Sequence, residues 1–270
     1  MNSERRAASY FVRVSDQRFR PTEHTGGAWR SDEQHFSPLG GLIVHAIDRF
    51  VDQRGPDGLA IARVSFDILG LLEVREFDVG VEVLRAGRTV ELIEAVVTSG
   101  DRAVVRARAW RLARLDTSQV AGGGHDPLPP PDSLGSWRLA DVWSGGYIAS
   151  LDVRPIGRPS AGHTVAWVST DVLLLADEPV SPLARFVGLA DTANGIAVRQ
   201  PPIEWFYPNV DLTIHLHRHP DGPWLGLETS VIFGPDGFGI TSSILHDLRG
   251  PVGVAQQALT IRPWGTTGRS

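Results

Sequence analysis

The same pattern occurs twice along the chain: an almost wholly apolar helix precedes four short segments in which apolar and polar residues alternate. The first helix candidate is PLGGLIVHAIDRFVDQ, residues 38–53, and the second is SPLARFVGLADTANG, residues 181–195. A proline stands in the first turn of each, where it is tolerated, and Gly195 can end the second. A surface helix would show a polar stripe, so each of these helices must be covered on most sides.

Alternation and tight turns predict the strands that would cover the helices. In the first half, between about residues 61 and 115, the candidates are ARVSFDILGLL, FDVGVEVLRAG, RTVELIEAVVTSG and RAVVRARAWRLAR. In the second half, between about residues 205 and 263, they are FYPNVDLTIHLHR, WLGLETSVIFG, FGITSSILHDLRG and VGVAQQALTIRP. Four further segments are the expected openings of the two halves: YFVRVSD and GGAWRSD, then GGYIASLDVRPIG and HTVAWVSTDVLL. The short connections predict antiparallel meanders.

The segment SQVAGGGHDPLPPPDSLGS, residues 118–136, is rich in Gly and Pro and has no periodicity, which is typical of a linker. We therefore predict an α+β fold of two tandem modules, residues 1–117 and 137–270. In each module an antiparallel sheet would wrap around one central helix, which is the hotdog arrangement. Two copies in one chain indicate an internal duplication and hence a double hotdog.

Composition excludes several classes of protein. The net charge of -5 leaves no basic face for a phosphate backbone, so we expect no nucleic-acid partner. The lack of cysteine excludes disulfide bonds, a thiolate metal site and a cysteine nucleophile. The start MNSERRAASYFVRV has no apolar stretch typical of a signal peptide, and no run of 18 apolar residues occurs. We expect a soluble cytoplasmic protein without a membrane partner.

Four segments resemble the type II acyl-CoA thioesterases, whose members are double hotdogs. They are SPLGGLIVHAID, LADTANG, NVDLTIHLHRHP and VAQQALTIR, within a similarity that extends from GGAW to LTIRP. The resemblance implies hydrolysis of acyl-CoA to a free acid and CoA, a place in fatty acid metabolism, and no cofactor or metal. Hotdog sheets commonly associate edge to edge or back to back, so we also expect a homo-oligomer, a dimer or tetramer.

The resemblance also implies a catalytic set. It consists of an Asp in the second helix, a hydroxyl or amide residue on the following strand, and a Gln on the last strand. Carried over position by position, these are Asp191, Asn209, where the family usually has Thr, and Gln257. An apolar helix would raise the pKa of Asp191 and make it a better base. The two amide side chains could then hold a water molecule.

Each of the three residues also has an ordinary structural explanation. Asp191 would suit a helix end, and Asn209 follows Pro208 and could belong to a turn. Gln257 could lie on the solvent face of its strand, with Gln256 on the opposite face by alternation.

Gly40 and Gly41 are candidates for substrate binding near the start of the first helix. Backbone N–H groups at a helix N-terminus can polarise a thioester carbonyl, and glycine leaves them unobstructed. We therefore expect an oxyanion hole here and a site that lies between the two halves. The alternative is that this glycine pair allows close helix packing.

Other functions remain open. His215, His217 and His219 would share one face of a strand, as metal-binding histidines can, but no distant fourth ligand is indicated. A hotdog hydratase or dehydratase acting on enoyl or acyl thioesters would need a His paired with an Asp, and His45 has no evident partner. A non-catalytic acyl-thioester binding protein is expected if Asn209 disables the water site.

Overall fold

The computed structural model describes residues 8–27, 29–30 and 32–265 of the chain. Residues 1–7 lie outside the described residues. They are the first half of the segment MNSERRAASYFVRV, from which the lack of a signal peptide was predicted. The first half of the chain forms one long helix and six strands. They are β1 Ser9–Arg13, β2 Arg18–Pro21, α1 Phe36–Arg54, β3 Leu59–Ile68, β4 Phe77–Arg85, β5 Val90–Ser99 and β6 Arg102–Ala113.

The second half repeats this arrangement with shorter helices. Its elements are α2 Gly146–Ala149, β7 Leu151–Pro155, β8 His163–Thr170, β9 Leu173–Leu175, α3 Pro182–Ala190, α4 Ala193–Ile196, β10 Trp205–Phe206, β11 Asp211–Leu216, β12 Leu225–Phe233, β13 Phe238–Asp247, β14 Gly250–Thr260 and β15 Arg262–Pro263. The predicted central helix and the four predicted strands that follow it are thus present in each half.

One 13-stranded sheet contains all of these strands except β10 and β15. Its order is β7-β8-β12-β13-β14-β11-β3-β6-β5-β4-β2-β1-β9, so the two halves meet where β11 pairs with β3 and again where β1 pairs with β9. Strands β1 and β9 pair in parallel, and the other pairs among the described residues are antiparallel. Within each half, three strands form the predicted meander, but the strand that precedes them pairs with the last of the three. This is the α+β double hotdog.

The two central helices pack against each other inside the sheet. The first two turns of α1 are wholly buried, and most of α3 is buried as well. The helices are antiparallel, because the start of α1 lies beside the end of α3, where the Nδ1 atom of His35 is 3.8 Å from an oxygen of Asp191. At the opposite end Ser181, which caps α3, donates a hydrogen bond to Asp48 of α1. The start of each helix therefore lies beside the later part of the other helix.

Two local predictions were wrong. GGAWRSD forms no strand among its described residues, and the first half opens with β1 and β2 instead. The second helix does not continue to Gly195: it ends at Ala190 with Asp191 as its C-cap, and the separate turn α4 contains Gly195. Two bonds anchor this turn, from Trp143 Nε1 to the Gly195 carbonyl and from Asn194 Nδ2 to the Tyr207 carbonyl. These contacts come from distant parts of the chain, which local patterns do not reveal.

The segment 118–136 packs along the second half. Trp167 donates its indole N–H to the Pro129 carbonyl at 2.7 Å, and Pro131 is buried. In the described ranges, no helix combines the length and apolar character that a membrane span requires.

Candidate active site

A cavity of about 380 Å³ lies where the start of α1, the end of α3 and the residues before β11 meet. Aromatic and aliphatic side chains form most of its wall, among them Trp29, Phe36, Ile68, Leu72, Trp143, Ile148 and Phe206. The polar side chains on the wall include Glu33, Gln34, His35, Asp191, Thr192, Asn194 and Asn209. A mostly apolar pocket with a few convergent polar groups is typical of a small-molecule site.

Three elements bring Asp191, Asn209 and Gln257 together. Asp191 is the last residue of the helical turn that ends α3, and its side chain is only 6% exposed. Its Oδ1 atom accepts hydrogen bonds from Asn209 Nδ2 at 2.7 Å and from Gln257 Nε2 at 2.6 Å. Gln257 is buried on β14, whereas its neighbour Gln256 is exposed, as strand alternation requires. The three residues that the resemblance selected therefore form one hydrogen-bonded group.

The Asp191 carboxyl group titrates near neutral pH. Burial raises its pKa from the ordinary 3.8 to about 7, and the nearby charge of Asp211 acts in the same direction. The hydrogen bonds from Asn209 and Gln257 oppose this shift because they stabilise the carboxylate. A group with this pKa can accept a proton in one step and return it in the next.

Several buried hydrogen-bond acceptors of the cavity lining and of Gln257 have no partner among the described residues. Gln257 Oε1 is buried and has no partner among the described residues, and the same holds for Gln34 Oε1 and Asn194 Oδ1. The second oxygen of Asp191, Oδ2, accepts no hydrogen bond from the described residues. Buried acceptors are normally satisfied, so these atoms are suited to receive hydrogen bonds from water or a bound molecule.

Gly40 and Gly41 lie at the crossing of the two helices, which corrects the expected oxyanion hole. A Cβ atom on Gly41 would come within 2.6 Å of the Ala184 carbonyl oxygen and 2.8 Å of Gly188 Cα. Because α1 begins at Phe36, both glycines lie beyond its first turn, and their N–H groups bond within the helix. Helix packing, the alternative weighed for this pair, is what the structure supports.

His35 is a site residue that sequence reasoning missed. It caps α1, since its Nδ1 accepts the Ser37 backbone N–H at 3.1 Å, and its ring lies on Tyr147 with centroids 4.3 Å apart. Burial lowers the pKa of His35 to about 3, so the ring is neutral and forms no ion pair with Asp191. No sequence signal identified it, because the helix was predicted to begin at Pro38 rather than directly after His35.

The histidines considered from sequence lie elsewhere. His45 Nε2 lies 3.3 Å from Glu178 Oε2, and neither residue lines the cavity. His217 and His219 each direct Nε2 to a backbone carbonyl, of Pro251 at 3.1 Å and of Ile61 at 2.8 Å. Over the described part of the chain, no group of three or more His, Cys, Asp and Glu side chains is arranged to hold a metal ion.

Two family models match most of the chain. The acyl-CoA thioesterase N-terminal domain matches residues 25–112, and the acyl-CoA thioesterase C-terminal domain matches residues 124–261. The second model alone spans slightly more than half of the 270 residues. No curated protein matches the chain at a significant level.

Solved structures resemble the whole molecule. A hot dog fold protein of unknown function from Alicyclobacillus acidocaldarius has a TM-score of 0.71 at 14% identity, over 95% of this chain and 97% of its own. The tesB protein of Mycobacterium avium subspecies paratuberculosis has a TM-score of 0.68 at 15% identity, over 94% of this chain and 96% of its own. Acyl-CoA thioesterase II TesB2 from Mycobacterium marinum has a TM-score of 0.65 at 14% identity, also over 94% of this chain and 96% of its own. Identities this low establish the fold alone.

Proposed function

Because the chain belongs to the acyl-CoA thioesterase family, we propose that it hydrolyses acyl-CoA thioesters to a free acid and CoA with a water molecule activated by Asp191. The observation that carries the proposal is the buried carboxylate of Asp191, bonded to Asn209 and Gln257, in the wall of a mostly apolar cavity. Such a cavity suits an acyl chain, and the polar group suits the thioester.

The free acceptors suggest how the water is held. Asn209 and Gln257 donate to one carboxylate oxygen, which leaves Asp191 Oδ2 and Gln257 Oε1 to accept the two hydrogens of a water molecule. A water molecule that donates both hydrogens directs its lone pairs away from these acceptors. Those lone pairs are then available to attack a thioester carbonyl in the cavity.

The reaction proceeds without a covalent acyl-enzyme intermediate. The water oxygen bonds to the carbonyl carbon, the π electrons move to the carbonyl oxygen, and the proton passes to Asp191. Collapse of the tetrahedral intermediate breaks the carbon–sulfur bond, and Asp191 returns the proton to the departing thiolate. The thiolate is a good leaving group, so the chain needs neither a cysteine, of which it has none, nor a nucleophilic serine.

The start of α1 supplies a donor for the carbonyl oxygen. The first N–H groups of a helix lack partners within it. Ser37 donates its N–H to His35 and Pro38 has none, so in this first turn the N–H of Phe36, a residue of the cavity wall, is available. The positive end of the helix dipole adds to its effect.

The proposal is tested by following free thiol release from a panel of acyl-CoA substrates that differ in chain length. We expect turnover by the wild type and none by Asp191→Asn. Asp48→Asn is a matched control, because Asp48 is also a partly buried helix carboxylate facing the start of the other helix. Wild-type protein that binds acyl-CoA and releases no thiol would instead indicate the non-catalytic binding protein.

One observation favours a hydratase or dehydratase as the second candidate: His35 and Asp191 approach within 3.8 Å. Against it, the His35 atom nearest Asp191 is Nδ1, which already accepts the Ser37 N–H and cannot also donate. Incubation with an enoyl-CoA separates the two functions, because hydration removes the conjugated double bond and releases no thiol.

A further inference from the structure

We infer that His35 is a catalytic residue of this site, whose Nε2–H donates a hydrogen bond to the thioester carbonyl oxygen as negative charge develops there. This inference rests on the proposed hydrolysis and adds a second donor to the Phe36 N–H. No step transfers the His35 proton. The electron pair of the carbonyl moves onto its oxygen, and the proton of the attacking water goes to Asp191.

The hydrogen bonds of His35 define which ring nitrogen carries the proton. Nδ1 accepts the Ser37 N–H at 3.1 Å, so in the neutral ring the hydrogen must be on Nε2. Nε2 has no hydrogen-bond partner among the described residues, although the ring lines the cavity. The site therefore contains an N–H donor that no described residue uses.

The ring is fixed in position from several sides. The backbone N–H of His35 donates to the Thr25 carbonyl at 2.8 Å, and its ring packs on Tyr147. Tyr147 is buried, and its hydroxyl bonds at 2.7 Å to Thr192, the residue that follows Asp191. One connected set of contacts thus fixes the position of His35 relative to Asp191. Donors fixed in advance stabilise developing charge without reorganisation.

A neutral donor is compatible with a neighbouring base. A cationic imidazolium 3.8 Å from Asp191 would favour the carboxylate and lower its pKa, which would weaken it as a base. Burial keeps the His35 ring uncharged, as the lowered pKa of His35 indicates. The ring can therefore donate to the carbonyl oxygen while Asp191 retains its pKa near neutrality.

The short distance between His35 and Asp191 in the cavity lining would let both groups reach one reacting carbonyl. The two side chains lie on the same wall, with His35 Nδ1 at 3.8 Å from Asp191 Oδ2, and Nε2 is on the same five-membered ring. A water held by Oδ2 would thus attack a carbonyl carbon whose oxygen lies next to the ring. This is the arrangement that hydrolysis of a thioester requires.

His35→Asn tests the inference. The asparagine oxygen can still cap α1 by accepting the Ser37 N–H, but its short side chain cannot place a donor where Nε2 lies. We expect kcat for thiol release to fall by about 10²–10³-fold, with KM changed by less than about threefold. The pH midpoint of kcat should not move, because Asp191 keeps its protein partners.

Two further variants complete the experiment. His35→Gln has a longer side chain whose amide N–H can approach the Nε2 position, so it should recover part of the loss in kcat. His45→Asn replaces a buried histidine of α1 that lies outside the cavity, and should leave kcat unchanged. Thermal unfolding and binding of a non-hydrolysable thioether analogue of acyl-CoA establish that each variant is folded.

Several outcomes would overturn the role of His35. They are a kcat for His35→Asn close to that of the wild type, a loss that is entirely in KM, a shifted pH midpoint, or no advantage of Gln over Asn. A shifted midpoint would mean that His35 acts only through the ionisation of Asp191. If the wild type itself releases no thiol from any acyl-CoA, the proposed function fails and this inference fails with it.

Discussion

In the proposed mechanism, the carboxyl group of Asp191 couples catalysis to the stability of the fold. Its pKa is 3.8 in an ordinary environment and about 7 in the folded protein, because burial disfavours the charge. Between these two values the unfolded chain releases its proton while the folded chain keeps it. The free energy of unfolding therefore has its full contribution from this group below about pH 4 and loses it as the pH rises to about 7.

We predict that Asp191→Asn stabilises the protein more at about pH 8 than at about pH 5, by on the order of 2–3 kcal/mol. The asparagine oxygen can still accept the hydrogen bonds of Asn209 and Gln257, and the variant has no charge to bury. Urea unfolding of wild type and variant at both pH values measures the difference. Asp67→Asn, at an exposed position on β3, controls for loss of a surface charge. A gain independent of pH would contradict the assignment.

Asn209 should set the pH at which the enzyme becomes active. Its hydrogen bond to Asp191 favours the carboxylate and lowers the pKa of that group. We predict that Asn209→Leu moves the pH midpoint of kcat upward, so that activity at neutral pH falls while activity at high pH largely recovers. Asn209→Thr keeps an O–H donor and should shift the midpoint less. The measurement is kcat for thiol release as a function of pH, and an unmoved midpoint in the Leu variant would show that the bond has no such effect.

Some residues of the site could be predicted from the sequence and others could not, for a physical reason. Asp191, Asn209 and Gln257 could be named because the resemblance selects single positions within recognisable segments. His35 could not, because its proximity to Asp191 depends on how the two helices pack, and no local pattern contains that information. The lone unpartnered oxygen of Gln257 is likewise a property of the folded neighbourhood.

At the element scale, Gly41 decides how closely α1 and α3 approach. Its added Cβ would collide with backbone atoms of α3, which cannot move aside as a side chain can. Gly188, which faces Gly41 on α3, has more room. A Cβ on Gly188 would lie 3.6 Å from Gly41 Cα, which is an ordinary van der Waals contact.

We predict that Gly41→Ala lowers the free energy of unfolding by about 1–3 kcal/mol, despite the higher helix propensity of alanine. Gly188→Ala is the matched control and should be neutral or stabilising. Chemical denaturation of both variants provides the comparison, and equal effects would contradict the proposed role of this crossing.

Errors in element boundaries explain the mistaken role of Gly40 and Gly41. A helix that began at Pro38 would place both glycines in its first turn, but α1 begins at Phe36 and has His35 as its cap. A shift of two residues, usual for such predictions, moves the free N–H groups to Phe36. The strands β3 to β6 and β11 to β14 lie where they were predicted, yet the pairing of β3 was not foreseen, because alternation along β3 does not specify that β6 is its neighbour.

At the scale of the whole molecule, the duplicated halves create two similar helix ends. The second end has a cavity of about 370 Å³ lined by Asp48, Ser181, His219, Arg111 and Arg114, among others. Asp48 has a raised pKa, chiefly through burial, and accepts a hydrogen bond from the α3 cap Ser181 at 2.6 Å. The described residues that line this cavity include no Asn or Gln side chain. Among the described residues, no Asn or Gln side chain donates a hydrogen bond to Asp48, so the amide pair that holds Asp191 has no counterpart there.

This asymmetry predicts a single catalytic site per chain. Ser181 donates a hydrogen bond to Asp48 and so occupies a carboxylate oxygen that would otherwise be available to water, and the described lining of this cavity includes no amide side chain to orient that water. Asp48→Asn should consequently retain the kcat/KM of the wild type for thiol release, whereas Asp191→Asn should lose it. Calorimetric titration with the thioether analogue should give one bound ligand per chain, and this stoichiometry should persist in Asp48→Asn. Two ligands per chain, or a loss of turnover in Asp48→Asn, would mean that the duplicated end also takes part in hydrolysis.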